Sequence, residues 1–79
     1  MSRSTLPGRK SHHTIDVGLD RRLQEWFFIL YDKGNPVKSH ATRRGSEIIS
    51  LMWKYADPND ARVKKVYNAI MVDQDPGDV

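Results

Sequence analysis

The residue types that could do covalent or metal chemistry are few and poorly grouped. His12, His13 and His40 are the three histidines, and there is no cysteine. A zinc site needs three or four convergent ligands. Adjacent His12 and His13 on a strand would point to opposite faces, so the spacing predicts no metal site and no cofactor. There is no glycine-rich phosphate loop and no useful serine, histidine and aspartate arrangement. The acids are scattered, and no identifiable element pairs two of them for acid–base work. The residues therefore point to a binding protein and not to an enzyme. What remains is polar and cationic. His12, Thr14, Asp16 and Gly18 alternate along one segment, and Arg3, Arg9 and Lys10 lie in a stretch without acids. With a net charge of +3 and a pI near 9.5, these groups favour a polyanionic partner.

The elements that must position these groups can be read from periodicity. Residues 1–11 are small, polar and basic, and read as a flexible arm. In residues 12–19, Ile15, Val17 and Leu19 alternate with Thr14, Asp16 and Gly18, which predicts a half-buried strand. Asp20 can cap a helix. Leu23, Trp26, Phe27, Leu30 and Tyr31 then share one helical face, and Lys33-Gly34 followed by Asn35-Pro36 reads as a helix stop. A buried strand over 26–31 is the rival. A second helix can start at Ser39 or later, at Gly45-Ser46-Glu47, with Ile48, Ile49, Met52 and Tyr55 on its seam. Gly45 weakens that helix or permits close helix approach. Asp57-Pro58 opens a third helix with Val63, Val66, Tyr67 and Ile70 inward, and residues 73–79 form an acidic tail.

A chain of 79 residues is one domain with a marginal core. Its single expected strand has no partner, and a second copy would supply one. Ile15, Val17, Leu19, Leu23, Trp26, Phe27, Leu30, Ile48, Ile49 and Met52 are then the candidate dimer core. The run Thr-Ile-Asp-Val-Gly-Leu-Asp-Arg-Arg-Leu, then Lys-Gly, then Gly-Ser-Glu-Ile-Ile-Ser-Leu-Met-Trp-Lys-Tyr, resembles the ribbon-helix-helix superfamily over residues 12–56. That superfamily includes the methionine and Arc repressors and plasmid copy-control and partition proteins.

The resemblance implies a mostly α homodimer with one N-terminal strand per chain, whose paired strands enter the major groove of double-stranded DNA. It implies base contacts from Thr14, Asp16 and Gly18, with His12 at the start. It also implies phosphate contacts at the second helix's N-terminus, from Ser39, His40, Thr42 and Arg43, or from Arg44 and Ser46 in the later register. Arg3, Arg9 and Lys10 would add attraction that ignores sequence. The expected role is transcriptional repression in the cytoplasm, on the nucleoid or a plasmid, with higher-order assembly on DNA open. Partition, relaxosome or antitoxin roles are alternatives, the last with a protein partner on the C-terminal helix of residues 57–72. A three-helix helix-turn-helix reading DNA through Arg62, Lys64, Lys65 and Asn68 is a further one. No membrane association is expected, because the longest apolar run, Trp26 to Tyr31, is far short of the ~20 residues that span a bilayer.

Overall fold

A computed structural model of the chain describes residues 3–72. Four strands, β1 (Ser4–Pro7), β2 (His13–Asp20), β3 (Glu25–Asp32) and β4 (Asn35–Thr42), precede two helices, α1 (Gly45–Tyr55) and α2 (Ala61–Met71). The strands form one antiparallel meander in chain order. Both helices lie on one face of the sheet, α1 across β3 and β4 and α2 against β1. This overturns the mostly α fold with one strand, and with it the ribbon-helix-helix and three-helix arrangements.

The correction turns on residues 23–31. Trp26, Phe28 and Leu30 are buried against the helices, while Phe27, Ile29 and Tyr31 alternate to the other face and are half-buried. Apolar side chains fill both phases of the period-two repeat, and an apolar run of this kind also satisfies helical spacing. Local turn chemistry decides between them. Lys33 and Gly34 both have positive φ, 52° and 84°. Two such residues make a type I′ turn, whose twist matches a hairpin, so Lys33-Gly34 reverses a strand and does not stop a helix. Asp20 also caps, but its Oδ1 accepts from the amides of Arg22 and Leu23 at 3.1 and 3.4 Å within the β2–β3 turn. Leu23 sits in that turn, exposed.

The strand at 12–19 exists, from His13, but it is central. Leu6 faces Ile15 on one side, and Val17 faces Phe28 on the other. Both of its edges are paired within the chain, so no second copy is needed to satisfy them. The supposed arm supplies the outer strand: Leu6 is buried, and Pro7 is tolerated because β1 lies at the edge. Arg9 is not an arm residue either. Its Nε and Nη2 donate to the Trp53 carbonyl at 3.2 and 2.8 Å, and its amide donates to the Tyr55 carbonyl at 2.8 Å.

The helices follow the later register. Residues 35–42, read as the start of a helix from Ser39, form β4, because the type I′ turn returns the chain beside β3. At the start of α1, a Cβ on Gly45 would lie 3.0 Å from Ile70 Cγ2, so the glycine does permit close helix approach. The cap of α2 is Asp60, not Asp57: its side chain accepts from the Arg62 amide at 2.8 Å, while Asp57 holds the preceding turn through the Asn59 amide at 3.0 Å. Val63, Val66 and Ile70 face inward as expected.

One core results, made from a single chain. Ile15, Val17, Trp26, Leu30, Ile48 and Met52, the candidate dimer core, are buried with Leu6, Phe28, Val63 and Val66. Leu19 and Ile49 pack at its margin. Leu23 and Phe27 are outside it.

Phe28 and Leu23 separate the two arrangements. Phe28 is 0% exposed and Leu23 57%, whereas helical spacing puts Leu23 inside and Phe28 off the stripe. Phe28→Ala should cost about 3–5 kcal/mol, and Leu23→Ala no more than about 0.5 kcal/mol. Urea denaturation of the two variants checks both.

Candidate nucleic-acid interface

Among the described residues, the helices cover one face of the sheet and leave the other open. Along β3 the open face carries Phe27, Ile29 and Tyr31. Their register partners are Gly18, Asp16 and Thr14 on β2, with Ala41 and Ser39 opposite Phe27 and Ile29 on β4. Thr5 lies beside Asp16 on β1. The face is thus apolar and aromatic along one strand and small or polar beside it. A shallow depression of about 370 Å³ lies at its Phe27 end, bordered by Arg3, Leu23, Phe27, Ser39 and Ala41.

The expected base-contacting residues divide. Thr14 is exposed on this face. Asp16 is only 7% exposed; its Oδ1 accepts from Thr5 Oγ1 at 2.8 Å, and its Oδ2 lies 3.5 Å from Arg3 Nε. A carboxylate already holding a hydroxyl and a guanidinium has little capacity left for a base. Gly18 is buried beneath its neighbours. His12 lies in the turn at the far end of the sheet, near Asp32. Arg3 spreads across this region, its guanidinium 5.7 Å from the Phe27 ring centroid, a cation–π contact that holds the charge over the open face.

The topology gathers arginine at one end of the sheet. The start of β1, the β2–β3 turn and the end of β4 meet there, since Ser4 pairs with Val17 and Trp26 with Thr42. Arg3, Arg21, Arg22, Arg43 and Arg44 therefore share an end, with Asp20 and Glu25 offsetting part of the charge. Of these, the sequence singles out Arg3, Arg43 and Arg44; Arg21 and Arg22 come alongside them only through the β2–β3 hairpin.

Of the expected phosphate contacts, Ser39 and Arg43 are exposed, the former on the open face. Thr42 is buried, and its Oγ1 accepts from the Arg44 amide at 3.1 Å. Arg44 is the residue before α1, whose end has no side-chain cap. Ser46 is exposed in the first turn of α1, its carbonyl accepting from Ser50 Oγ at 3.1 Å. His40 Nε2 lies 2.8 Å from Glu47 Oε1. Lys10 is in the β1–β2 turn, away from the arginine end. The bases proposed for helix-turn-helix contacts, Arg62, Lys64 and Lys65, are on the exposed side of α2, and Arg62 Nη2 pairs with Asp60 at 3.0 Å.

Between the helices lies a second concavity of about 300 Å³, lined by Arg9, Met52, Trp53, Val63, Lys64 and Tyr67. Trp53 is 61% exposed, and its Nε1 donates to the Tyr67 hydroxyl at 3.2 Å. No helix among the described residues is long and apolar enough to cross a membrane.

A scan against protein-family models finds no match, and neither the curated proteins nor the solved structures include one.

The His40 contact, with a further hydrogen bond from Thr42, holds the Glu47 carboxyl below its ordinary value of 4.5. A depressed carboxylate stabilises fully above its unfolded pKa, and that contribution is lost as pH falls through the lowered value. His40→Ala should move the Glu47 titration midpoint up toward 4.5, as followed by side-chain carboxyl chemical shifts.

Proposed function

We propose that the protein binds single-stranded nucleic acid across the open face of its sheet. The observation that carries this is the row Phe27, Ile29 and Tyr31, half-buried, with no helix over it among the described residues and only Arg3 across Phe27, leading to an end with five arginines. Bases stack on aromatic rings because every base has a π face, and each such stack is worth roughly 1–3 kcal/mol. Phe27 and Tyr31 stand four residues apart on one strand, about 13 Å at about 3.3 Å per residue. Two splayed nucleotides can span that distance. Arg3, Arg43 and Arg44 supply charge for the phosphates beside them.

The polyanionic partner expected from composition is kept, and the mode of binding is changed. A two-stranded ribbon fits the major groove, which is about 12 Å wide. Four strands about 4.8 Å apart span about 14 Å between the outer backbones alone, so this sheet is too broad to enter. Flat sheets that read unpaired bases use aromatic side chains on an uncovered face, the arrangement present here. Asp16 in this reading is a positioning residue. It holds Thr5 and Arg3, and Arg3 in turn lies over Phe27.

Fluorescence anisotropy with a labelled single-stranded 12-mer, as DNA and as RNA, tests this against the matching duplex. The single strand should bind more tightly than the duplex. Tyr31→Ala should weaken binding by about 5- to 150-fold, the range set by one stacked base. Arg43→Ala should flatten the salt dependence by about 0.7 in slope. Preference for the duplex, or no loss in Tyr31→Ala, contradicts the proposal.

A further inference from the structure

At the end of the sheet opposite the arginines, two hairpin turns meet. The Lys33 amide donates to the His12 carbonyl at 2.9 Å, and the His13 amide donates to the Lys10 carbonyl at 3.0 Å. His13 pairs with Asp32 across β2 and β3. His12 precedes the strand and lies in the turn, so strand alternation does not separate it from His13. Both imidazoles consequently approach one carboxylate. His12 Nε2 is 3.5 Å from Asp32 Oδ1, and His13 Nε2 is 3.9 Å from Asp32 Oδ2.

We propose that His12, His13 and Asp32 form a binding site for a divalent transition-metal cation of the zinc class. Their three candidate ligand atoms lie within 4.8 Å of one another. Nitrogen and oxygen ligands at about 2.0–2.1 Å around a tetrahedral ion stand roughly 3.3 Å apart. The His12–Asp32 pair is close to that separation, and the His13–Asp32 pair, at 3.9 Å, exceeds it. Among the described residues, buried Asp32 Oδ1 has the 3.5 Å approach of His12 Nε2 but no hydrogen bond, an unusual state for a carboxylate oxygen. A cation between the rings would satisfy it.

The donor set is two imidazoles and one carboxylate, which suits zinc, cobalt, nickel or ferrous iron better than calcium or magnesium. Three protein ligands leave a position for water. Lys10 and Lys33 lie in the same two turns, and their charge lowers the affinity for a cation. The bound ion would pin the β1–β2 turn to the β3–β4 turn. This site is independent of the proposed nucleic-acid interface.

The probe is Zn²⁺ alone, titrated into the full chain against a chromophoric chelator. One ion should bind per chain. His12→Ala, His13→Ala and Asp32→Asn should each weaken binding by about 10-fold or more, while His40→Ala should leave it unchanged. Co²⁺ added to the unaltered protein gives a readout that needs no variant: NMR signals of His12, His13 and Asp32 should broaden first. Absence of Zn²⁺ binding at 1 mM (roughly the weakest affinity of interest) overturns the proposal. So does retention of binding in folded Asp32→Asn, or Co²⁺ broadening centred on His40 and Glu47.

Discussion

Strand β3 is apolar on both faces, and the two helices cover only one of them. Trp26, Phe28 and Leu30 require a cover that α1 and α2 supply through Ile48, Met52, Val63 and Val66. Among the described residues, no helix covers Phe27, Ile29 and Tyr31. Burying a large apolar side chain is worth roughly 1.5–3 kcal/mol, so this second row leaves favourable burial unrealised in the isolated chain. Arg3 partly shields it by lying over Phe27. The rest of the architecture adjusts to the constraint. β2 and β4 flank the row with small or polar residues, and Asp16 is consumed in holding Thr5 and Arg3. A face of this kind suits a ligand that is flat, aromatic and charged at its margin.

The two ends of the sheet differ for a topological reason. A meander places alternate turns at opposite ends. The β2–β3 turn, with Arg21 and Arg22, is joined by the end of β4. The β1–β2 turn, with Lys10 and His12, is joined by the β3–β4 turn, with Lys33. The proposed nucleic-acid surface and the proposed metal site therefore share the sheet but not side chains. Tyr31 and Thr14, beside Asp32 and His13 in the chain, lie where the two approach each other.

Much of the local structure was legible in the sequence, and the topology was not. The strand through Ile15 and Val17 follows from strict alternation, and α2 from the spacing of Val63, Val66 and Ile70. The later start of α1 at Gly45 was one of two registers open to the sequence. The segment 23–31 admits both a helix and, over 26–31, a buried strand, because filling both phases of a strand also fills a helical stripe. Lys33-Gly34 carries the missing information, since its glycine suits the end of a helix as well as a type I′ hairpin. Leu6 was hidden in a basic, proline- and glycine-containing stretch and is recognisable as core only once β2 offers it an edge. Thr14 reached an exposed position on the open face as expected, whereas Gly18 and Asp16 are covered by residues distant in the chain. In a helical arrangement Phe27 and Tyr31 fall on the inward stripe, and the open face they occupy does not exist.

The most direct test is to map backbone amide chemical-shift changes on adding a single-stranded oligonucleotide. Changes should cluster on Thr14, Phe27, Ile29, Tyr31 and Ser39 and extend to Arg43 and Arg44. Changes confined to α1 and α2 around Trp53 and Tyr67, or none at saturating oligonucleotide, would contradict the role assigned to the open sheet face.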